Sequence, residues 1–99
     1  MRREEATRII AEHRDELKKR GVKHIYLFGS TARDEAGPES DVDVLIEVDH
    51  KDHHFGLFQQ VELQSYLEQI LGQAVDVGTV DSLKPQLKKR ILEERVFVA

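Results

Sequence analysis

The chain contains no cysteine. Disulfides and thiolate metal sites are therefore excluded, and a reducing, cytoplasmic compartment is the natural expectation. Long apolar runs are also missing. Nothing approaches the ~20 residues that span a bilayer, so no membrane association is expected. The opening MRREEATRII is charged and lacks the apolar centre of a signal peptide. Nor is there an excess of positive charge. Fifteen Lys and Arg against nineteen Asp and Glu leave a net charge of -4, which argues against direct nucleic-acid binding through the phosphate backbone. Internal repeats and low-complexity segments are absent as well.

What remains is 99 residues, 39% hydrophobic and 34% charged, a balance that suits one globular domain over residues 1–99. Residues 2–20 carry Ala6, Ile9, Ile10, His13 and Leu17 at helical spacing, with Gly21 as the stop. HIYLFG, 24–29, reads as a buried strand. Ser30 follows as an N-cap for a short helix from Thr31 to about Ala36, ended by Gly37-Pro38. DVDVLIEV, 41–48, alternates and then becomes continuously apolar, as a central strand does. Phe55 to Leu71 bears a broad apolar stripe closed by Gly72, and AVDVGTV, 74–80, is a third strand. A last helix runs from Ser82, as cap, to about Glu94 with Pro85 in its first turn, before VFVA as an edge strand. The expected fold class is α/β, a mixed sheet of three to four strands packed with helices.

One stretch carries chemistry: GSTARDEAGPESDVDVLI, residues 29–46. Residues two apart on a strand share a face, so Asp41 and Asp43 project together. Adjacent carboxylates repel, and a divalent cation relieves that. Hard oxygen ligands with no sulfur suit Mg²⁺ completed by substrate phosphates. Asp76 supplies a third carboxylate if strand 74–80 lies beside strand 41–48. The Gly29-Ser30 pair closes the preceding strand, where glycine permits close backbone approach and a helix start offers free N–H groups to an anion. Each feature alone is ordinary: a turn with a Ser cap, a solvated strand entrance, a strand-end Asp. Together they form a phosphate cradle beside a carboxylate cluster, the layout of phosphoryl or nucleotidyl transfer.

Gly-Ser, ten residues, then Asp-x-Asp, with the first pair closing a strand and the second opening the next, resembles the nucleotidyltransferase superfamily that includes DNA polymerase β. The short pattern GSTAR…SDVDVLIEV…VDV…LKPQLKKRILEERVFV is similar to the minimal nucleotidyltransferase (MNT) domains over about Val22 to Val98. The resemblance implies Mg²⁺, two ions, on Asp41, Asp43 and Asp76, with Asp76 as third catalytic carboxylate and candidate base. It implies ATP as substrate, its β/γ-phosphates on Gly29 and Ser30, within reach of Arg33. It further implies an antitoxin role, with AMP transferred to a tyrosine hydroxyl of a cognate HEPN-domain ribonuclease toxin. Two departures stand out. Asp34 replaces a Gly common in relatives, which is expected to alter the helix start, and Gly78 interrupts the strand after Asp76.

The core uses nearly all 99 residues, so a bound macromolecule is the expected source of the acceptor half of the site. Rival readings are a toxin-binding module acting by occlusion alone, and a transferase acting on a small-molecule or RNA hydroxyl. Tyr26, Phe28, Phe55, Phe58 and Tyr66 are expected in the core. Lys84, Lys88, Lys89, Arg90 and Arg95 are expected on a solvated helix face. His50, His53 and His54 fall in a polar loop, Asp49 to His54, without spacing that would fix a metal.

Overall fold

A computed structural model of the chain describes residues 1–35, 37, 40–49, 51 and 55–99. The element order is α1 (Arg3–Glu12), α2 (Arg14–Lys19), β1 (Val22–Leu27), α3 (Gly29–Ala32), β2 (Val42–Val48), α4 (Leu57–Leu71) and β3 (Val75–Thr79). A 3₁₀ turn (Val80–Ser82), α5 (Pro85–Glu94) and β4 (Val96–Phe97) complete it. The strands form one mixed sheet in the order β3-β2-β1-β4. Strand β2 runs antiparallel to β1 and parallel to β3, and the closing strand pairs antiparallel with β1. The α/β expectation and the edge strand are both met.

Alternation along the strands divides the sheet into two faces. Ile25, Leu27, Val42, Val44, Ile46, Val75 and Val77 point into a single core, closed by Ala6 and Ile10 of α1 and by Leu17 of α2. Helix α4 adds Leu63, Leu67 and Leu71, four residues apart and therefore on one helical stripe. Its ends are defined by side chain and backbone. Gln59 Oε1 accepts the Gly56 N–H at 2.9 Å, and Gly72 closes the helix at φ 69°. Among the described residues no helix is long and apolar enough to cross a membrane.

Four local expectations are corrected. The first helix is two, because His13 leaves helical geometry at φ -106°, ψ 18°. There its N–H turns to Ile10 O at 3.0 Å and its Nδ1–H donates to Ile9 O at 2.7 Å, and a new helix starts behind it. The helix expected over 31–36 is a single turn that ends at Ala32, with Phe28 rather than Ser30 in the cap position. Ser82 belongs to the 3₁₀ turn, bonded to Thr79, and Lys84 precedes α5, whose first residue is Pro85. Phe58 is 81% exposed, with Leu57 and Val61 beside it, so part of the α4 stripe faces outward. Tyr26 is buried, and Phe28, Phe55 and Tyr66 are partly so. Ala36, Pro38, His50, His53 and His54 lie outside the described residues.

Candidate active site

The site lies on the face of the sheet opposite the core. Asp43 is the second residue of β2, between the inward Val42 and Val44, so it points outward beside Leu45. Strand β3 runs parallel to β2 with Asp76 paired directly to Asp43. Gly78 does not disturb this register. Its strand continues to Thr79, and a Cβ there would meet Leu45 Cδ1 at an ordinary 3.9 Å. Asp41 stands one residue ahead of β2, exposed. The two Asp residues thought to converge from distant sequence positions are neighbours.

The turn after β1 closes over this row. Gly29 has φ +60°, and a Cβ there would lie 2.8 Å from Asp43 Oδ2, so only glycine fits both the backbone angle and the space. Ser30 Oγ, freed from capping, donates to Asp43 Oδ2 at 3.4 Å. Two bonds fix the Asp43 backbone: Phe28 N–H donates to Asp43 O at 3.1 Å, and Asp43 N–H donates to Thr31 Oγ1 at 3.0 Å. Thr31 is only 1% exposed. It positions the carboxylate, and nothing in the sequence distinguished it from a helix residue.

Burial pushes the Asp43 carboxyl above its ordinary range, and the charges of Asp76 and Asp41 push the same way. The Ser30 hydroxyl and the charge of Arg33 oppose them. This is the electrostatic signature of a carboxylate row that favours added positive charge. Among the described residues no group of three His, Asp or Glu side chains is gathered to hold a metal ion by itself. The donor set nevertheless fits a hard cation, since Mg²⁺ is usually held by one or two carboxylates, with water and phosphate oxygens completing the shell. The in-register Asp43–Asp76 pair would supply those carboxylates.

Arg33 follows the turn and is already engaged. Its Nε donates to Glu35 at 3.0 Å and its Nη1 to Glu94, at the end of α5, at 3.3 Å. The Glu35 hydrogen bond is the main cause of a guanidinium pKa raised still further. Asp34 sits just beyond at φ 58°, the left-handed region that suits a Gly there and that Asp tolerates. The departure therefore affects the end of α3, not its start. The basic residues Lys84, Lys88, Lys89 and Arg90 are exposed as expected, whereas Arg95 lies 4.0 Å over the Tyr26 ring.

Comparison with known proteins identifies the family. The pattern of the nucleotidyltransferase domain family matches residues 10–98. A protein adenylyltransferase MntA of Thermococcus cleftensis is 41% identical over 96 residues, covering 96% of this chain and 94% of its own. A solved structure described as a minimal nucleotidyltransferase superposes with TM-score 0.81 at 30% identity, covering 97% of this chain and 95% of that one. The fold also recurs, at TM-score 0.65 and 22% identity, in a complex of a tri-AMPylated Shewanella oneidensis HEPN toxin with an MNT antitoxin. That match covers all of this chain and 72% of the other. The carboxylate row, the glycine turn above it and the match along nine-tenths of the sequence lead to one assignment: this chain belongs to the nucleotidyltransferase domain family.

Proposed function

We propose that this chain is an Mg²⁺-dependent protein adenylyltransferase that acts in the cytoplasm as an antitoxin. It moves AMP from ATP to a tyrosine hydroxyl of a HEPN-type toxin partner. The observation that carries this reading is the pairing of Asp43 with Asp76 beneath the Gly29-Ser30 turn. The acceptor oxygen attacks the α-phosphorus, the bond from that phosphorus to the β-bridging oxygen breaks, and pyrophosphate leaves. Asp76, exposed on the outer face, takes the acceptor proton. Asp43 and Asp76, with Asp41 at the strand entrance, would hold Mg²⁺, which would supply positive charge to the phosphates. The backbone at Gly29 and the Ser30 hydroxyl dock the triphosphate, with Arg33 beside them. MntA of T. cleftensis, named as a protein adenylyltransferase, and the AMPylated HEPN toxin in complex with an MNT antitoxin support a protein acceptor and a toxin partner.

Incubation with ATP, Mg²⁺ and the protein encoded beside it is expected to add AMP to that protein, detected by mass spectrometry. Asp43→Ala is expected to slow transfer by about 10²-fold or more. An unmodified partner with ATP intact would overturn the transferase reading. If Asp43→Asn neutralises the toxin as well as the wild type does, occlusion alone accounts for the antitoxin role.

A further inference from the structure

A cavity of about 210 Å³ opens between the Gly29 turn and α5, with Phe28 and Leu87 on its walls and Arg33, Arg90 and Glu94 on its charged side. One carboxylate joins the two guanidiniums. Glu94 Oε2 accepts from Arg33 Nη1 at 3.3 Å, and Glu94 Oε1 accepts from Arg90 Nε at 3.4 Å. Two cations that converge on one anion form an anion site, and here the chain's own side chain fills it. Both contacts are longer than the 2.7–2.9 Å typical of charge-assisted bonds. All three side chains are exposed by a third or more, so water screens the pairing and it is weak. A guanidinium fork matches phosphate oxygens at least as well as it matches a carboxylate.

We infer that Arg90 is a second phosphate-binding cation, acting with Arg33 on the terminal phosphates of the nucleotide, and that Glu94 is a stand-in anion the nucleotide displaces. This rests on the nucleoside-triphosphate reading of the same site. A simpler role exists for the trio, as a tether that fastens α5 to the turn after β1. The two roles give opposite signs for one variant. When a tether is cut from either end, the α5 wall loosens and nucleotide binding weakens both times. When a competing anion is removed, binding tightens.

Binding of ATP with Mg²⁺ to the full chain, measured by calorimetry at low ionic strength, separates them. Arg90→Gln is expected to weaken binding by about 3- to 10-fold, and Arg90→Lys by less, since it keeps the charge and loses the fork. Glu94→Gln is expected to tighten it by about 2- to 3-fold. All three substitutions fall on exposed positions, so folding is not at stake. Weaker binding with Glu94→Gln, or unchanged binding with Arg90→Gln, overturns the inference while leaving the nucleotide reading intact. A wild-type chain that binds no ATP overturns both.

Discussion

The two faces of the one sheet are built on different terms. On the inner face Val42, Val44, Ile46, Val75 and Val77 meet Leu63, Leu67 and Ile10 with almost no exposure. On the outer face Asp43 pairs with Asp76 and Leu45 with Tyr26, while α5, a helix with no buried residue, packs by the Gly29 turn. Burial of apolar area holds the first together. Of the described strand residues on the second, only Leu45 and Tyr26 are buried. The turn and α5 are tied there by exposed hydrogen bonds and ion pairs that are individually weak. Because successive residues of β2 alternate between faces, a carboxylate can be desolvated and strained on one side while its neighbours secure the strand from the other. The chemistry is mounted on stability that it does not supply.

Substitution on each face measures this contrast directly. Leu67→Ala empties a fully buried position in α4 and is expected to cost about 2–5 kcal/mol in denaturant unfolding. Leu87→Ala, on α5 and 51% exposed, is expected to stay within about 0.5 kcal/mol. A comparable loss at both positions would show that α5 is packed as firmly as the core. Two glycines sharpen the comparison at smaller scale. Gly29 and Gly72 both have positive φ, but a Cβ at Gly72 meets nothing within 4 Å, while one at Gly29 meets Asp43 Oδ2. Gly72→Ala is expected to cost about 1 kcal/mol and leave transfer unchanged. Gly29→Ala adds a clash to the same backbone penalty, costing about 1–3 kcal/mol and most of the transfer activity. Equal activity of the two variants would remove Gly29 from the site.

The same division governs what could be read from sequence. The strands were legible because β-branched runs with period two have few other uses, and their order brought Asp76 beside Asp43 as the spacing required. The helix break at His13 was not legible, since it rests on a hydrogen bond to Ile9 O that competes with helix continuation. Periodicity also marked Phe58 as part of an apolar stripe without saying whether anything covers it. Ser30 has the composition of a cap, yet its hydroxyl goes to Asp43. That choice depends on how closely the turn approaches β2. Glu94 and Arg90 gave no signal, because helical spacing puts them on one face and cannot say which turn that face meets.

The smallest effect concerns the charge on Asp43 and tests whether the outer face is strained at all. Burial, then Asp76 and Asp41, raise its folded-state pKa above the ordinary value of 3.8, against Ser30 and Arg33. A raised carboxyl binds its proton more tightly in the folded chain than in the unfolded one. Its stabilising contribution is therefore complete below the unfolded value and is lost as pH rises through the folded one. In chelator, Asp43→Asn should be more stable than wild type at neutral pH, since it keeps an acceptor for Ser30 and drops the repulsion. That advantage should shrink as pH falls and Asp43 takes up its proton. Adding Mg²⁺ at neutral pH should also narrow it, because the cation stabilises the ionised row only where the row exists. Chemical unfolding across a pH series, with and without Mg²⁺, reads all three. If Asp43→Asn is the less stable protein at neutral pH in chelator, Ser30 and Arg33 outweigh the neighbouring carboxylates, and the row is already neutralised before any cation arrives.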